Sequence, residues 1–280
     1  ETPPPPKPEL IPVYPTTQGL GQARLRNLTR ALQHIRWPTE AGTPFEKLLY
    51  LHRPDDLRRI DEITEALALD ELCAYYVVMK RRALKRRKQQ AIALTQKAGL
   101  GRQLRDNLAF DLTRAQSRVI RETLEDLENN VPMLRLVQGD VGSGKTIVAA
   151  FAAIRAIEHG CQTAVMAPTE LLAEQHQLNF QQWLDPLGIR VALLTGQMTA
   201  KAQREVLADI ESGEVQVVIG THALFQDKVV FHKLALVIID EQHRFGVHQR
   251  MALQNKGAFP HQLVMTATPI PRTLTMTLYA

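Results

Sequence analysis

The sequence predicts an α/β lobe with a mainly parallel sheet, preceded by an all-helical connecting region. Three observations carry this prediction. Beyond residue 110, short apolar runs alternate with amphipathic stretches at 145–158, 169–183 and 199–212; the runs are "MLRLV", "TAVMA", "RVALLT", "VQVVIG", "LALVIID" and "HQLVMTA". These runs lack an alternation of apolar and polar residues, which marks strands buried on both faces of a helix-covered parallel sheet. Residues 17–109 instead show helical spacing and no strongly alternating β-branched run. Finally, 280 residues exceed what one domain of about 100–200 residues usually takes.

Taken in order, residues 1–16 form a proline-rich linker. "ETPPPPKPELIPVYP" holds seven prolines in fifteen residues, and proline fixes φ and removes the amide donor, so no regular element is expected. Residues 17–109 follow as the helical connecting region. "GQARLRNLTRALQHI" places Leu25, Leu28, Leu32 and Ile35 at spacings of three and four. "DELCAYYVVMKRRALKRRKQQAIAL" reads as one long helix capped by Asp70. Residues 110–280 form the α/β lobe, and ligands of such sheets bind at the carboxyl ends of the strands.

Composition narrows the class. With 45% hydrophobic and 22% charged residues, the chain can bury a core. No apolar run reaches the roughly 18 residues of a membrane-spanning helix, and no secretory signal opens the chain. Cys73 and Cys161 lack metal spacing and read as reduced thiols, so a cytoplasmic location is expected. Charge is unevenly distributed. Residues 1–109 carry 19 Lys and Arg against 12 Asp and Glu, a net +7, whereas the rest carries 15 against 17, a net −2. The basic half suggests an acidic partner, nucleic acid first. The chain opens on Glu1 rather than Met, so an upstream segment is expected.

The most specific motif is "GDVGSGKT", comprising Gly139, Asp140, Val141, Gly142, Ser143, Gly144, Lys145 and Thr146. It matches G-x-x-x-x-G-K-[ST] between a strand and a helix. The glycines let the backbone turn tightly and approach phosphate oxygens. The loop amides and the following helix N-terminus face that charge. Lys145 can bridge the β- and γ-phosphates of ATP, and the Thr146 hydroxyl can ligate Mg²⁺. A plain glycine-rich turn is the competing explanation.

The second element is "LVIIDEQH". A buried strand ends in Asp240 and Glu241, on the edge expected to carry the phosphate loop. Asp240 would orient Mg²⁺ and Glu241 would act as general base on the attacking water. Adjacent buried carboxylates are tolerable where a divalent cation and Lys145 offset their charge. The same residues also fit an acidic helix start. Gln242 and His243 can sense the γ-phosphate, although His243 also fits a structural histidine.

These residues carry a resemblance. A phosphate loop with D-E-x-H resembles superfamily 2 helicases. "DEQHRFGVHQR" followed by "MTATPIPRTL" at 265–274 is similar to the RecG-type ATP-dependent DNA helicases, as are "APTELLAEQH" at 167–176, "GTHALFQ" at 220–226 and "PVYPTTQGL" at 12–20. The likeness covers nearly the whole chain. The transcription-repair coupling translocases share "TATPIPRTL" but usually carry a second Glu where this chain has Gln242.

The resemblance implies a RecA-like helicase lobe in residues 110–280, acting on branched DNA such as stalled forks and Holliday junctions in recombination and repair. It implies ATP and Mg²⁺ as cofactors, a monomer in the bacterial cytosol associated with the nucleoid, and no membrane partner. It also implies a wedge domain and a second helicase lobe beyond these residues, the latter supplying arginine fingers. The chain therefore reads as a fragment that binds Mg–ATP weakly and does not unwind DNA alone.

The resemblance further implies that Gln116 in "FDLTRAQ" reads the adenine edge, with Phe110 beside it, although Thr113 and Gln116 also fit a capping box. Ala109 stands where the family often has proline. By the same resemblance, Thr169 with Glu170, and Thr221 with His222, would touch the DNA backbone; both threonines also suit N-caps. Thr266 and Thr268 would couple ATP state to DNA grip. The run Lys80, Arg81, Arg82, Lys85, Arg86, Arg87 and Lys88 fits either phosphate contact or a solvated helix end. Trp37 and Trp183 read as packing residues. Two rivals are a P-loop ATPase without a nucleic-acid role and a nucleotide-gated binding module without turnover.

Overall fold

The computed structural model describes residues 10–16, 20–32, 44–52, 54–97, 99–241 and 259–267. The chain divides into two compact units, Glu1–Lys80 and Arg81–Ala280.

The first unit is helical. It contains α1 (Gln22–Leu32), α2 (Pro44–Leu51) and most of α3 (Leu57–Arg87). None of its described residues is buried, and polar contacts organise it. The Tyr14 hydroxyl meets His52 Nδ1 at 2.9 Å, and the Gln22 side chain pairs with both backbone groups of Tyr14. Arg26 Nε donates to the Pro12 carbonyl at 3.3 Å. The end of the proline-rich stretch is thus laid against α1.

The long helix departs from expectation at both ends. It starts at Leu57, where Asp56 Oδ1 accepts from Arg58 N at 2.9 Å in the manner of an N-cap. Asp70 lies mid-helix and pairs with Lys47 at 3.1 Å. The helix stops at Arg87 with Lys85, Arg86 and Arg87 in its last turn, where cations suit the helix dipole. Residues 91–94 are not helical. Ala91 N donates to Asn130 O and Leu94 N to Leu127 O, which binds this stretch to the end of a later helix.

The second unit contains α4 (Leu100–Asp106), α5 (Arg114–Leu127), β1 (Leu134–Gln138), α6 (Lys145–Ile157), β2 (Gln162–Met166), α7 (Glu170–Leu184), β3 (Val191–Leu194), α8 (Ala200–Ser212), β4 (Val217–Gly220), β5 (Leu234–Asp240) and β6 (His261–Thr266). The strands form one sheet in the order β1-β6-β5-β2-β4-β3, every pair parallel. The six apolar runs all became strands, within a residue or two at their ends.

Burial explains their unbroken hydrophobicity. In β5, Leu236 and Ile238 join the core beneath α5, α6 and α7, whereas Val237 and Ile239 join a second core with Ile210 of α8 and Leu224. Every position of the strand from Leu234 to Ile239 is inside, so no alternation survives. In α6, Ala149, Ala150, Ala152 and Ala153 are fully buried, and their small size lets this helix lie close to the sheet.

The compact α/β unit begins before residue 110. Leu94 and Leu104 are fully buried in its first core, each contributing about 2 kcal/mol by removal from water. Arg155 donates to the Leu94 carbonyl and to Glu128, while Glu158 accepts from Leu100 N and Gly101 N at the start of α4.

Candidate functional site

Because the sheet is parallel, all its strands deliver their following loops to one edge. The register places Gln138 of β1 opposite Thr266 of β6, and Asp240 of β5 opposite Met265. Two hydrogen bonds continue that order into the loops. Gly139 N donates to the Thr266 carbonyl at 3.2 Å, and Glu241 N donates to the Met265 carbonyl at 2.9 Å. The glycine loop and the two carboxylates therefore leave the sheet on either side of β6, about 10 Å apart at strand spacing.

The loop has the geometry its glycines imply. Gly142 and Gly144 take φ of 80° and 83°, and Gly144 is the N-cap of α6. A Cβ at Gly139 would meet Ser143 Oγ at 2.6 Å, and one at Gly144 would collide with the Gln116 amide. Lys145 Nζ donates to the carbonyls of Gly139 at 2.6 Å and Asp140 at 2.9 Å, so the ammonium lies across the loop. Val141 at the loop tip is exposed and Thr146 is half-buried.

Gln116 does more than cap. Its Oε1 accepts from Thr113 N at 2.9 Å while Thr113 Oγ1 accepts from Gln116 N, completing the capping box of α5. Its Nε2 donates to the Ser143 carbonyl at 3.0 Å, linking the start of α5 to the phosphate loop. Phe110, a few residues upstream, is exposed.

Glu241 occupies a left-handed backbone conformation, φ 49°. Its carboxylate accepts from Thr266 Oγ1 at 3.1 Å and from Ala267 N at 2.9 Å. The acid expected to be the base is thus anchored on the start of the "TAT" turn. Asp240 is held from another side: its Oδ2 accepts from His176 Nε2 on α7 at 2.8 Å. Asp240 Oδ1 makes no hydrogen bond among the described residues, leaving one oxygen for a metal-bound water. Among the described residues no group of three or more His, Cys, Asp and Glu could hold a metal ion. Thr146 and Asp240 offer oxygen donors, the type that a hard cation shared with phosphate oxygens and water takes.

The remaining residues separate. Thr169 is exposed and caps α7, accepting from Leu172 N at 3.3 Å, with Glu170 in the first turn. Thr221 does not cap, contrary to expectation. A short 3-10 turn, His222–Phe225, follows it, and its hydroxyl is buried without a hydrogen-bond partner among the described residues, while His222 is exposed. Gln242, His243, Thr268 and Trp37 lie outside the described residues. Trp183 packs against the first core beside Phe180.

His176 is the neighbour of the candidate site that sequence reasoning did not single out. It lies in "APTELLAEQH" on the stripe Ala173, His176, Phe180, the buried face of α7. A histidine on that stripe, in the helix leaving the strand beside β5, was the available signal. Its partner lies 64 residues away, and no local pattern reveals it.

The fold and this edge define a RecA-like P-loop lobe of the helicase kind. Residues 113–277 match the DEAD/DEAH box helicase family, and the chain belongs to that family. It is 49% identical to "ATP-dependent DNA helicase RecG" of Escherichia coli K12, and 48% identical to the protein so named in Pasteurella multocida. Each match covers 97% of this chain and 42% of the relative, so the chain spans about two-fifths of the length of these curated relatives. A solved structure, "Structure of RecG bound to three-way DNA junction", matches 96% of this chain and 38% of that one, at 36% identity and a TM-score of 0.71.

Proposed function

We propose that this chain is the ATP-binding lobe, with its helical connecting region, of a DNA helicase that remodels branched DNA. The observation that carries the proposal is the anchoring of Glu241 by Thr266 and Ala267, next to the glycine loop. It joins the acid that would activate water to the turn that would report ATP state to DNA. The three-way junction in the neighbour's title supports branched DNA as the substrate class, and the bacterial origin of the relatives agrees with a cytosolic setting.

In this mechanism Lys145 leaves the Gly139 and Asp140 carbonyls to meet the β- and γ-phosphates. The loop amides and the α6 N-terminus hold the remaining phosphate oxygens. Thr146 and Asp240 would hold Mg²⁺, which when bound neutralises charge building on the transferred phosphoryl group. Glu241 accepts the proton of the attacking water. Gln116 and Phe110 would receive the adenine. Gln242 and His243 would sense the γ-phosphate, and Thr268 would extend the coupling turn. The exposed end of α7 at Thr169 and Glu170, and the exposed His222, would meet DNA phosphates. Residues 1–16 would act as linker and 17–109 as connecting region. A second lobe would complete the site, and the whole would work as a monomer.

Steady-state ATP hydrolysis with forked DNA tests this. The full-length protein should show DNA-stimulated turnover. Glu241→Gln should lower turnover by about 10²–10⁴-fold and retain nucleotide binding. Turnover indifferent to DNA would favour a P-loop ATPase without a nucleic-acid role.

A further inference from the structure

Two buried histidines in the α/β unit behave differently. His261 is satisfied at both ring nitrogens, by Met133 N at 3.1 Å and the Ile92 carbonyl at 2.8 Å. It is a structural residue, pinning β6 to neighbouring backbone. His176 is also buried, yet among the described residues only Nε2 has a partner, Asp240 Oδ2 at 2.8 Å, and Nδ1 is buried with none. A carboxylate only accepts, so Nε2 carries the proton that faces it. The ring leaves one polar atom unmet, which costs stability, and gives its other nitrogen to the carboxylate expected to hold the metal. Packing alone would favour an apolar side chain on the stripe between Ala173 and Phe180.

We propose that His176 is a positioning residue for Asp240, fixing the carboxylate so that Oδ1 remains the oxygen available to the cation. The proposal rests on the nucleotide-site reading above and assigns it a component outside the glycine loop and the D-E pair. Its position adds a consequence. His176 stands seven residues, two helical turns, from the Thr169 cap on the same helix. The end of α7 expected to touch DNA and the side chain that orients Asp240 thus move as one rigid element.

The chemistry is that of a histidine–carboxylate pair behind a metal site, where loss of the outer partner typically costs about 10–100-fold in metal affinity. The test is equilibrium binding of a fluorescent ADP analogue to the full-length protein, titrated with Mg²⁺ and repeated in chelator. In the wild type, Mg²⁺ should tighten binding. H176M fills the space without a donor and should raise the Mg²⁺ concentration needed by about 10–100-fold. Its affinity for ADP in chelator should stay within about twofold, since no group in the proposed second-sphere role touches the nucleotide. H176Q should restore the Mg²⁺ response, because its terminal amide can donate from nearly the same distance along the side chain. In a D240A background H176M should add nothing further.

An unchanged Mg²⁺ response in H176M would overturn the proposal. So would equal losses with and without Mg²⁺, which mark a structural role, or an additive loss on D240A. If H176M does not fold, failure of H176Q to show a wild-type Mg²⁺ response overturns it. A wild type with no Mg²⁺ dependence sinks the nucleotide-site reading itself, a distinguishable result.

Discussion

Glu241 is strained where it is most exposed to scrutiny. A left-handed glutamate costs about 1–2 kcal/mol, and here φ is 49°. The twist aims its carboxylate at Thr266 and Ala267 rather than along the strand. Strain held at the proposed nucleotide edge motivates a test of the role proposed for this acid. Glu241→Gln should lower kcat by about 10²–10⁴-fold in the full-length protein, with nucleotide affinity little changed; stopped-flow binding beside steady-state turnover separates the two. Thr266→Val keeps the volume and removes the hydroxyl. Because Ala267 N still holds the acid, its kcat should fall by only about tenfold, roughly the worth of one hydrogen bond to a charged group. A Thr266→Val enzyme as dead as Glu241→Gln would show that the turn does more than orient the acid. At this scale the sequence was legible wherever the chemistry is local. The glycine loop and the D-E pair are contiguous and impose their own backbone. His176 was not legible because its role depends on a residue from another element.

Elements were legible in proportion to how far their pattern reflects their surroundings. The strands stood out because both faces of the sheet are covered, so each run is apolar throughout. The long helix was misread at both ends because its start depends on Asp56 and its end on a chain that leaves to pair with Asn130 and Leu127. Residues 91–97 sit within the expected helical region, yet tertiary contacts decide their conformation. Arg155 has a side chain only 9% exposed and binds Leu94 O, Glu128 and, at 3.9 Å, Glu158. Arg155→Ala should leave Glu158 poorly compensated and destabilise the unit by about 3 kcal/mol, read as a lowered denaturation midpoint.

His261 makes a pH prediction for the same elements. Burial pushes its pKa below the ordinary 6.5. Its Nδ1 accepts from Met133 N, so a second ring proton would face that N–H. Above pH 6.5 the ring is neutral in both folded and unfolded chains and its contribution is fully present. As pH falls from there toward the lowered folded value, the unfolded chain takes up the proton first, and stability falls by at most about 1.4 kcal/mol per pH unit. Urea midpoints measured above and below pH 6.5 should show this loss, and His261→Gln should flatten it. A midpoint insensitive to the substitution at both pH values would count against the assigned tautomer.

At the scale of the whole molecule, charge and site occupy different parts of the chain. The net +7 lies in residues 1–109 and the carboxylates of the site in the remainder. A motor needs both, since DNA grip is electrostatic and salt-sensitive while phosphoryl transfer depends on preorganised donors. On the proposed reading, the described edge would supply a loop for phosphates, an acid for water and a carboxylate for the cation. Among the described residues of that edge, Lys145 is the cation placed to reach the γ-phosphate, and it is bound to backbone carbonyls at 2.6 and 2.9 Å. Stabilising the transferring group usually takes an additional arginine, worth about 10³–10⁵ in rate. The 280-residue chain should therefore bind Mg–ATP but hydrolyse it slowly, with little response to forked DNA. A chain extended to the full length of its relatives should gain turnover within that factor and become DNA-stimulated. Equal DNA-stimulated turnover in both would mean that this lobe contains every group the reaction needs. The two-lobe mechanism would then be wrong, and the missing cation would have to be sought among the groups on this edge.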